Sequence, residues 1–286
     1  MTTLRPHYPL TLMCRVLEVS RSGYHAWMRR RPSRRTQENA RLEVAIQAAH
    51  VRTRQTYGAV RLHGELREEG LTVGVSRIKR LRKKLGLRCK QVRRFTTTTD
   101  SNHRLPVADN LLAQTFDARC PNETWVTDIT YVPTAEGWLY LAGVKDLYTC
   151  EVVGYAMGNR MTTDLVSRAL VAAVCAKRPR PGLIHHSDRG SQYCAQDYQA
   201  RLKQFGMHAS MSRRGNGYDN APMESFWGTL KNELVHHQRY ETREQAQREI
   251  TEYIEIFYNR QRRHSRLGNL SPAAFAQLWV RQQPAA

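Results

Sequence analysis

The stretch ETWVTDITYVPTAEGWLYLAGVKDLYTCEVVGYAMG, residues 123–158, decides the fold. Thr124–Val132 alternates polar and apolar residues, as a strand with one face on a core does; Trp138–Val144 and Val152–Met157 are rich in β-branched and aromatic residues. Short intervals join the three, which predicts a meander. Downstream the period changes. Thr163–Ala176 reads as a helix, Gly182–His186 as a short buried strand, Ala195–Phe205 as a helix and Met207–Met211 as another short strand. Three strands followed by alternating helix and strand predict an α/β domain around a mixed sheet, spanning 119–286. Two further helices, through Pro222–Leu234 and Arg243–Tyr258, close the chain.

Upstream of the strands the pattern is helical. Pro9–Trp27 reads as a helix with Leu10, Met13, Val16 and Leu17 on one face, a break at Glu18–Val19, and Ser20 as N-cap of a second short helix. Such a pair resembles a helix-turn-helix, and with the basic connector Met28–Arg35 it makes a segment 1–35. Residues 36–95 hold a second cluster: Asn39–His50, Gly58–Glu69 ended by Gly70, and Arg77–Leu85 capped by Ser76. That last helix sets Ile78, Leu81 and Leu85 on one face and Arg77, Lys79, Arg80, Arg82, Lys83 and Lys84 on the others, with no acid among them. A helix so composed suits packing on its own domain while offering charge to DNA. Residues 96–118, which open with TTTTDSNH, lack periodicity and read as a linker.

Composition supports this division. The 286 residues hold 45 Lys+Arg against 25 Asp+Glu, a formal charge of +20, and 41% hydrophobic residues suffice for a core, which excludes global disorder. Residues 1–110 contain 24 basic and 8 acidic residues, net +16, leaving +4 for the remainder. The basic half is an electrostatic footprint for a polyanion. No uncharged apolar run is long enough to span a bilayer and Met1–Leu10 lacks a signal-peptide core, so a cytoplasmic protein is expected. The six cysteines stand singly, which predicts free thiols rather than a disulfide framework or a zinc pair.

Three acids occupy positions where the predicted elements bring them to one edge of the sheet. Asp128 lies within the first strand, where a carboxylate is costly to bury unless it meets a cation. Asp188 follows the strand LIHH, at the carboxyl end where open α/β sheets hold ligands, and Glu224 opens the helix after GNGYDNAP. Each has a structural alternative: a satisfied buried acid for Asp128, an N-cap for Asp188, a helix-dipole partner for Glu224. Together they fit a site for Mg²⁺ or Mn²⁺, hard cations that take oxygen ligands. Breaking and joining phosphodiesters needs an activated oxygen nucleophile and a stabilised leaving oxygen, and two divalent ions supply both; Asp128 would bridge them, with Asp188 and Glu224 completing one each.

WVTDITYVPT, EGWLYLAGVKDLYT, HHSDRGSQY, SMSRRGNGYDNAPMESFWGTLKNEL and YNRQRRHSRLGNLSP, with YGAVRLHGELREEGLTVGVSRIKRLRKKLGL ahead of them, resemble the second-frame transposase of the insertion sequence 3 family, a relative of retroviral integrases with an RNase H-like core. The 35 residues between Asp188 and Glu224 match the interval of that group's D,D,35,E motif. The resemblance makes Asp128, Asp188 and Glu224 the catalytic metal ligands. It also implies that Lys231, seven residues and nearly two turns beyond Glu224, touches substrate phosphate. His185, His186 and Ser187 read as a packed strand end, Trp227 as packing beneath its helix, and Asn216, Gly217, Tyr218 and Asn220 as a loop that orders on DNA. Cys150, where a basic residue is frequent in the family, and Gly217, where Cys or Pro is common, depart from the pattern without touching the acids.

What the resemblance implies is metal-dependent cleavage of double-stranded DNA at the ends of the element, followed by attack of the exposed 3′-hydroxyl on another phosphodiester. It further implies a homodimer or larger assembly on DNA at the nucleoid, and an upstream-frame product or fusion as partner. A zinc module is not expected. The rival reading is a DNA-binding regulator that has lost catalysis; a ribonuclease acting on hybrids would explain neither the basic N-terminal region nor the YNRQRRHSRLG tail.

Overall fold

The computed structural model describes residues 1–90, 106–213 and 217–283. A five-stranded mixed sheet forms the catalytic half: β1 (Thr124–Thr134), β2 (Gly137–Asp146), β3 (Val152–Gly158), β4 (Ile184–Ser187) and β5 (His208–Met211), in the order β3-β2-β1-β4-β5. β1–β2 and β2–β3 are antiparallel, whereas β4 runs parallel to β1 and β5 to β4. This meander extended by two parallel strands is the RNase H-like arrangement expected from the sequence. The expected alternation also holds, since Val126 and Val132 enter one core while Trp125 and Ile129 enter the other.

One face of the sheet packs on α6 (Thr163–Lys177), α7 (Ser191–Cys194) and α8 (Gln196–Gln204), and the other on α9 (Ala221–Glu233) and α10 (Arg243–Glu252). α6 lies on β3 so closely that a Cβ at Gly154 would stand 2.4 Å from Ala173 N and 2.5 Å from Ala169 O, both backbone atoms that cannot swing aside. Gly154→Ala is therefore expected to cost about 1–3 kcal/mol through overpacking, read as a lower urea midpoint with an unchanged slope. A stability equal to the parent's would show that α6 can lift off the sheet at no cost.

The helical half contains α1 (Leu10–Val16), α2 (Arg21–Arg29), α3 (Arg34–Arg52), α4 (Ala59–Glu68) and α5 (Val75–Lys84). Glu18, with φ 53°, makes the predicted break, and Ser20 Oγ accepts from Gly23 N at 2.9 Å, the predicted cap. Of the four residues placed on the buried face of α1 only Met13 is buried, together with Cys14; Val16 and Leu17 are exposed. The basic connector is shorter than its charge suggested, because Ser33 Oγ caps α3 by accepting from Thr36 N and the arginines after it are helical. α5 starts one residue before Ser76, with Gly74 at its N-cap, so Ser76 lies in the first turn and caps nothing.

The two halves share a hydrophobic core. Ile46, Leu62, Leu66 and Ile78 belong to the same cluster as Val126, Phe226 and Tyr258. Polar ties cross the contact: the Tyr57 hydroxyl accepts from Arg263 N at 2.7 Å, and Arg263 Nε donates to Glu65 at 2.6 Å.

Three further expectations are corrected. Residues 107–118, read as part of a linker, dock on the edge strand: Leu111 N donates to Ser210 Oγ, Met211 N to Asp109 O, and Leu112 is buried. The helix expected over Arg243–Tyr258 widens into π-helical turns at Tyr253–Gln261, where the Asn259 side chain accepts from Val152 N and donates to Val152 O, both at 3.0 Å. Two helices were expected after β5, but α11 (Pro272–Gln282) is a third, capped by Ser271 and packing Phe275 and Trp279 against Tyr148. Among the described residues no helix is long and apolar enough to cross a membrane. All six cysteines are free, three of them buried.

Candidate active site

The site grows from a missing side chain. Gly143 on β2 sits opposite Asp128 on β1, and a Cβ there would stand 2.7 Å from Met223 Cε and 2.9 Å from Trp227 Cη2. The gap lets α9 press its Trp227 against the strands, and the indole Nε1–H donates to Asp128 Oδ2 at 3.1 Å. Asn220, at the N-cap of α9, donates from Nδ2 to Thr127 O at 2.9 Å, so the helix start is pinned one residue from Asp128. Lys145, buried at the end of β2, donates to Pro222 O at 3.0 Å and fixes the same turn from the other side. Glu224, two residues on, is exposed in the first turn.

Asp188 enters from β4. Its Oδ1 accepts from Gly190 N at 2.9 Å, an Asx-type turn that leads into α7, and Ser187 Oγ donates to Asp188 O at 2.9 Å. Burial, the facing Asp188 and, to a smaller extent, Glu224 push the Asp128 carboxyl well above the usual carboxylate range, against the hydrogen bonds from Ile129 N and Trp227. Partial desolvation also raises Glu224. The fold thus brings Asp128 into electrostatic contact with each of the other two acids. Among the described residues no three His, Cys, Asp or Glu side chains gather to hold a single ion.

Lys231 stands with its Nζ 5.1 Å from the centre of the Tyr131 ring. Burial lowers the amine, and the charge of Asp128 opposes that shift. His185 and His186 are structural. Burial holds His185 at about 3 and His186 at about 4; the first meets the Tyr198 hydroxyl at 3.0 Å and the second lies between the Ser210 and Ser212 hydroxyls.

Of the expected loop, Asn216 lies outside the described residues. Gly217–Asn220 is a 3₁₀ turn latched by Asp219, a residue the sequence reading passed over. Its buried carboxylate accepts from Arg213 N, from the Arg213 guanidinium, and from Asn110 and Gln114 of the segment docked on β5. Those bonds, Arg213's above all, hold it far below the usual carboxylate range. Tyr218 beside it is exposed.

The six cations of α5 divide into two groups. Arg77 donates to Asn39 and Glu38, Lys84 to Glu43, and Arg82 approaches Cys89 Sγ at 3.3 Å, so these tie the helix to its own domain. Lys79, Arg80 and Lys83 are exposed.

An HTH-like domain model matches residues 36–95, and two integrase core domain models match 118–217 and 224–278. The first covers α4, α5 and all but the start of α3, the second helical cluster, and does not extend to residues 9–27. The chain is similar to a retroviral intasome structure, that of simian T-cell lymphotropic virus bound to PP2A regulatory subunit B56 gamma, at TM-score 0.48 and 15% identity over 77% of this chain and 74% of that one. It is 63% identical to the insertion element IS600 uncharacterized 31 kDa protein of Shigella sonnei, over 92% of this chain and 97% of that one. Against the transposase InsF for insertion sequence IS3A of Escherichia coli (strain K12) it is 45% identical, with 94% of each chain covered. Identity at that level across nearly the whole of both chains places it: the chain belongs to the insertion sequence 3 family of transposases.

Proposed function

We propose that this DNA transposase is a divalent-metal-dependent strand transferase that cuts at the ends of its element and joins the freed 3′-hydroxyl to a second phosphodiester, with Asp128, Asp188 and Glu224 as its metal ligands. The observation that carries this is the convergence of charge on Asp128, a carboxyl buried within β1 that burial first, then the charges of Asp188 and Glu224, drive upward. Divalent cations relieve that repulsion, and an all-carboxylate set of hard oxygen donors fits Mg²⁺ or Mn²⁺. When bound, two such ions supply an activated oxygen nucleophile and a stabilised leaving oxygen.

The residues around the acids hold the substrate and the ligands in place. Trp227 fixes Asp128 Oδ2; Asn220 and Lys145 fix the turn from which Glu224 projects; Lys231 offers phosphate a cation beside Asp128. Lys79, Arg80 and Lys83 face outward to grip duplex phosphates. Binding two element ends at once calls for a dimer or larger assembly on DNA, with an upstream-frame product or fusion as a further partner, at the nucleoid.

The test is to incubate the purified chain with labelled duplex from the DNA flanking its gene, with Mg²⁺ or with EDTA. Nicked and joined products are expected with the metal alone. Binding without products, even after the upstream-fused form is added, would leave a regulator. In the same assay Arg80→Ala and Lys83→Ala should each reduce the salt slope of duplex binding by about one. An unchanged slope would remove α5 from the DNA contact.

A further inference from the structure

The tip of the β1–β2 hairpin carries an aromatic pair that the fold does not use. Tyr131 pairs across the strands with Tyr140, and Trp138, diagonal to it on the same face, sets its ring edge-to-face on Tyr131 with centroids 4.7 Å apart. Leu139 and Leu141 on the opposite face fill the core, whereas Trp138 remains 48% exposed. The pair is held stiffly. Arg243 of α10 donates from Nε to Trp138 O and from Nη2 to Glu136 O, and Tyr240 O accepts from Ala135 N at 2.9 Å. The cost of ordering a stacking surface is thus already met by the fold.

The surroundings select the occupant. Tyr131 lies three residues along β1 from Asp128, roughly 10 Å at strand spacing and on the opposite side of the strand, and Lys231 of α9 spans the two, feeling the charge of Asp128. The Tyr131 ring carries Lys231 Nζ at 5.1 Å, and the exposed Arg239 stands beside Tyr240 at the hairpin. A half-exposed indole flanked by cations fits a planar, apolar ring joined to phosphate. Bases inside a duplex have both faces covered by their neighbours, so an unpaired base offers a face that one within the helix does not.

We propose that Trp138, backed by Tyr131, is a stacking platform for an unpaired base next to the phosphodiester at Asp128, so that the enzyme acts on a DNA end whose terminal pairs are opened. The proposal rests on the strand-transferase reading and names the form of its substrate. Trp138 acts by positioning: it captures the displaced base while Lys231 meets the adjoining phosphate.

Fluorescence anisotropy with oligothymidylate and with a blunt duplex tests it. One lost stack at about 1–3 kcal/mol corresponds to roughly tenfold or more in affinity. Trp138→Ala should lose that factor for oligothymidylate and stay within about twofold for the duplex, with Trp138→Phe restoring most of the loss. On element ends, Trp138→Ala should slow cleavage of fully paired substrate, and ends made unpaired by mismatch should recover much of the rate. Unchanged oligothymidylate binding, or an equal loss on both ligands, would overturn the platform. Asp128→Asn separates the two readings. It should bind oligothymidylate like the parent while making no product; retained cleavage by that variant would sink the carboxylate assignment and leave the platform to its own binding test.

Discussion

Asp128→Asn is expected to lower cleavage and joining by about a thousandfold or more while leaving duplex affinity within about twofold of the parent. The size follows from the position of the residue. Asp128 feels the charge of both other acids, so in the two-ion scheme its loss weakens both ions; several kcal/mol of charge stabilisation corresponds to that factor at about 1.4 kcal/mol per tenfold. The substitution is close to isosteric, and the amide oxygen can still accept from Trp227 Nε1, so the strand–helix contact survives. In EDTA the variant should unfold at a higher temperature than the parent. The folded carboxyl titrates above its unfolded value, so folding takes up protons and stability falls as pH rises between the two. An amide escapes that loss, and the difference in melting temperature should shrink as pH is lowered toward the unfolded pKa. Glu224→Gln, at an exposed carboxylate with a smaller upward shift, should match the loss of activity with little gain in stability. Full cleavage by either variant would remove that acid from the ligand set.

The same site shows what a sequence carries and what it withholds. β1 was legible from its alternation, β2 and β3 from their β-branched and aromatic composition, and the three acids because they fall within a strand, just past a strand and at a helix start inside long motifs. Trp227 read as packing, which it is; that its indole also holds Asp128 depends on a contact across 99 positions that opens only because Gly143 has no side chain. Asp219 looked like one polar residue in a turn, and its role as a latch appears only when residues 110 and 114 fold back onto β5. Charge misled twice. The arginines around residue 34 read as a solvated connector although Ser33 caps a helix there, and the six cations of α5 read as one DNA face although three of them serve their own domain. α11 was announced by Ser271-Pro272, a cap followed by proline in the first turn, a signal the sequence reading did not use.

Arg262→Met is expected to cost about 3–5 kcal/mol, the largest stability loss of any single substitution considered for this chain. Arg262 is nearly fully buried and grips Glu233 with two hydrogen bonds, Nε to Oε2 at 2.9 Å and Nη2 to Oε1 at 2.8 Å; the Tyr253 hydroxyl donates to the same carboxylate at 2.7 Å. With Arg262 gone, Glu233 keeps Tyr253 and a longer contact at 3.8 Å to Arg61 of α4, too little for a buried carboxylate. Glu233→Gln should be comparably damaging, because it strands the Arg262 cation. Replacing both partners with apolar residues, Glu233→Leu with Arg262→Met, should recover most of the loss, since neither charge is then left unpaired. The measurement is urea unfolding of the four proteins, and a double variant as unstable as Arg262→Met alone would mean that side-chain shape, rather than charge pairing, dominates the contact. The consequence reaches the chemistry because Glu233 ends the helix that Glu224 begins, while Arg61 and Arg262 come from the N-terminal helical half and the C-terminal segment. A weakened pair should therefore lower cleavage more than duplex binding, if α9 carries the catalytic acid and α5 the duplex contact as proposed.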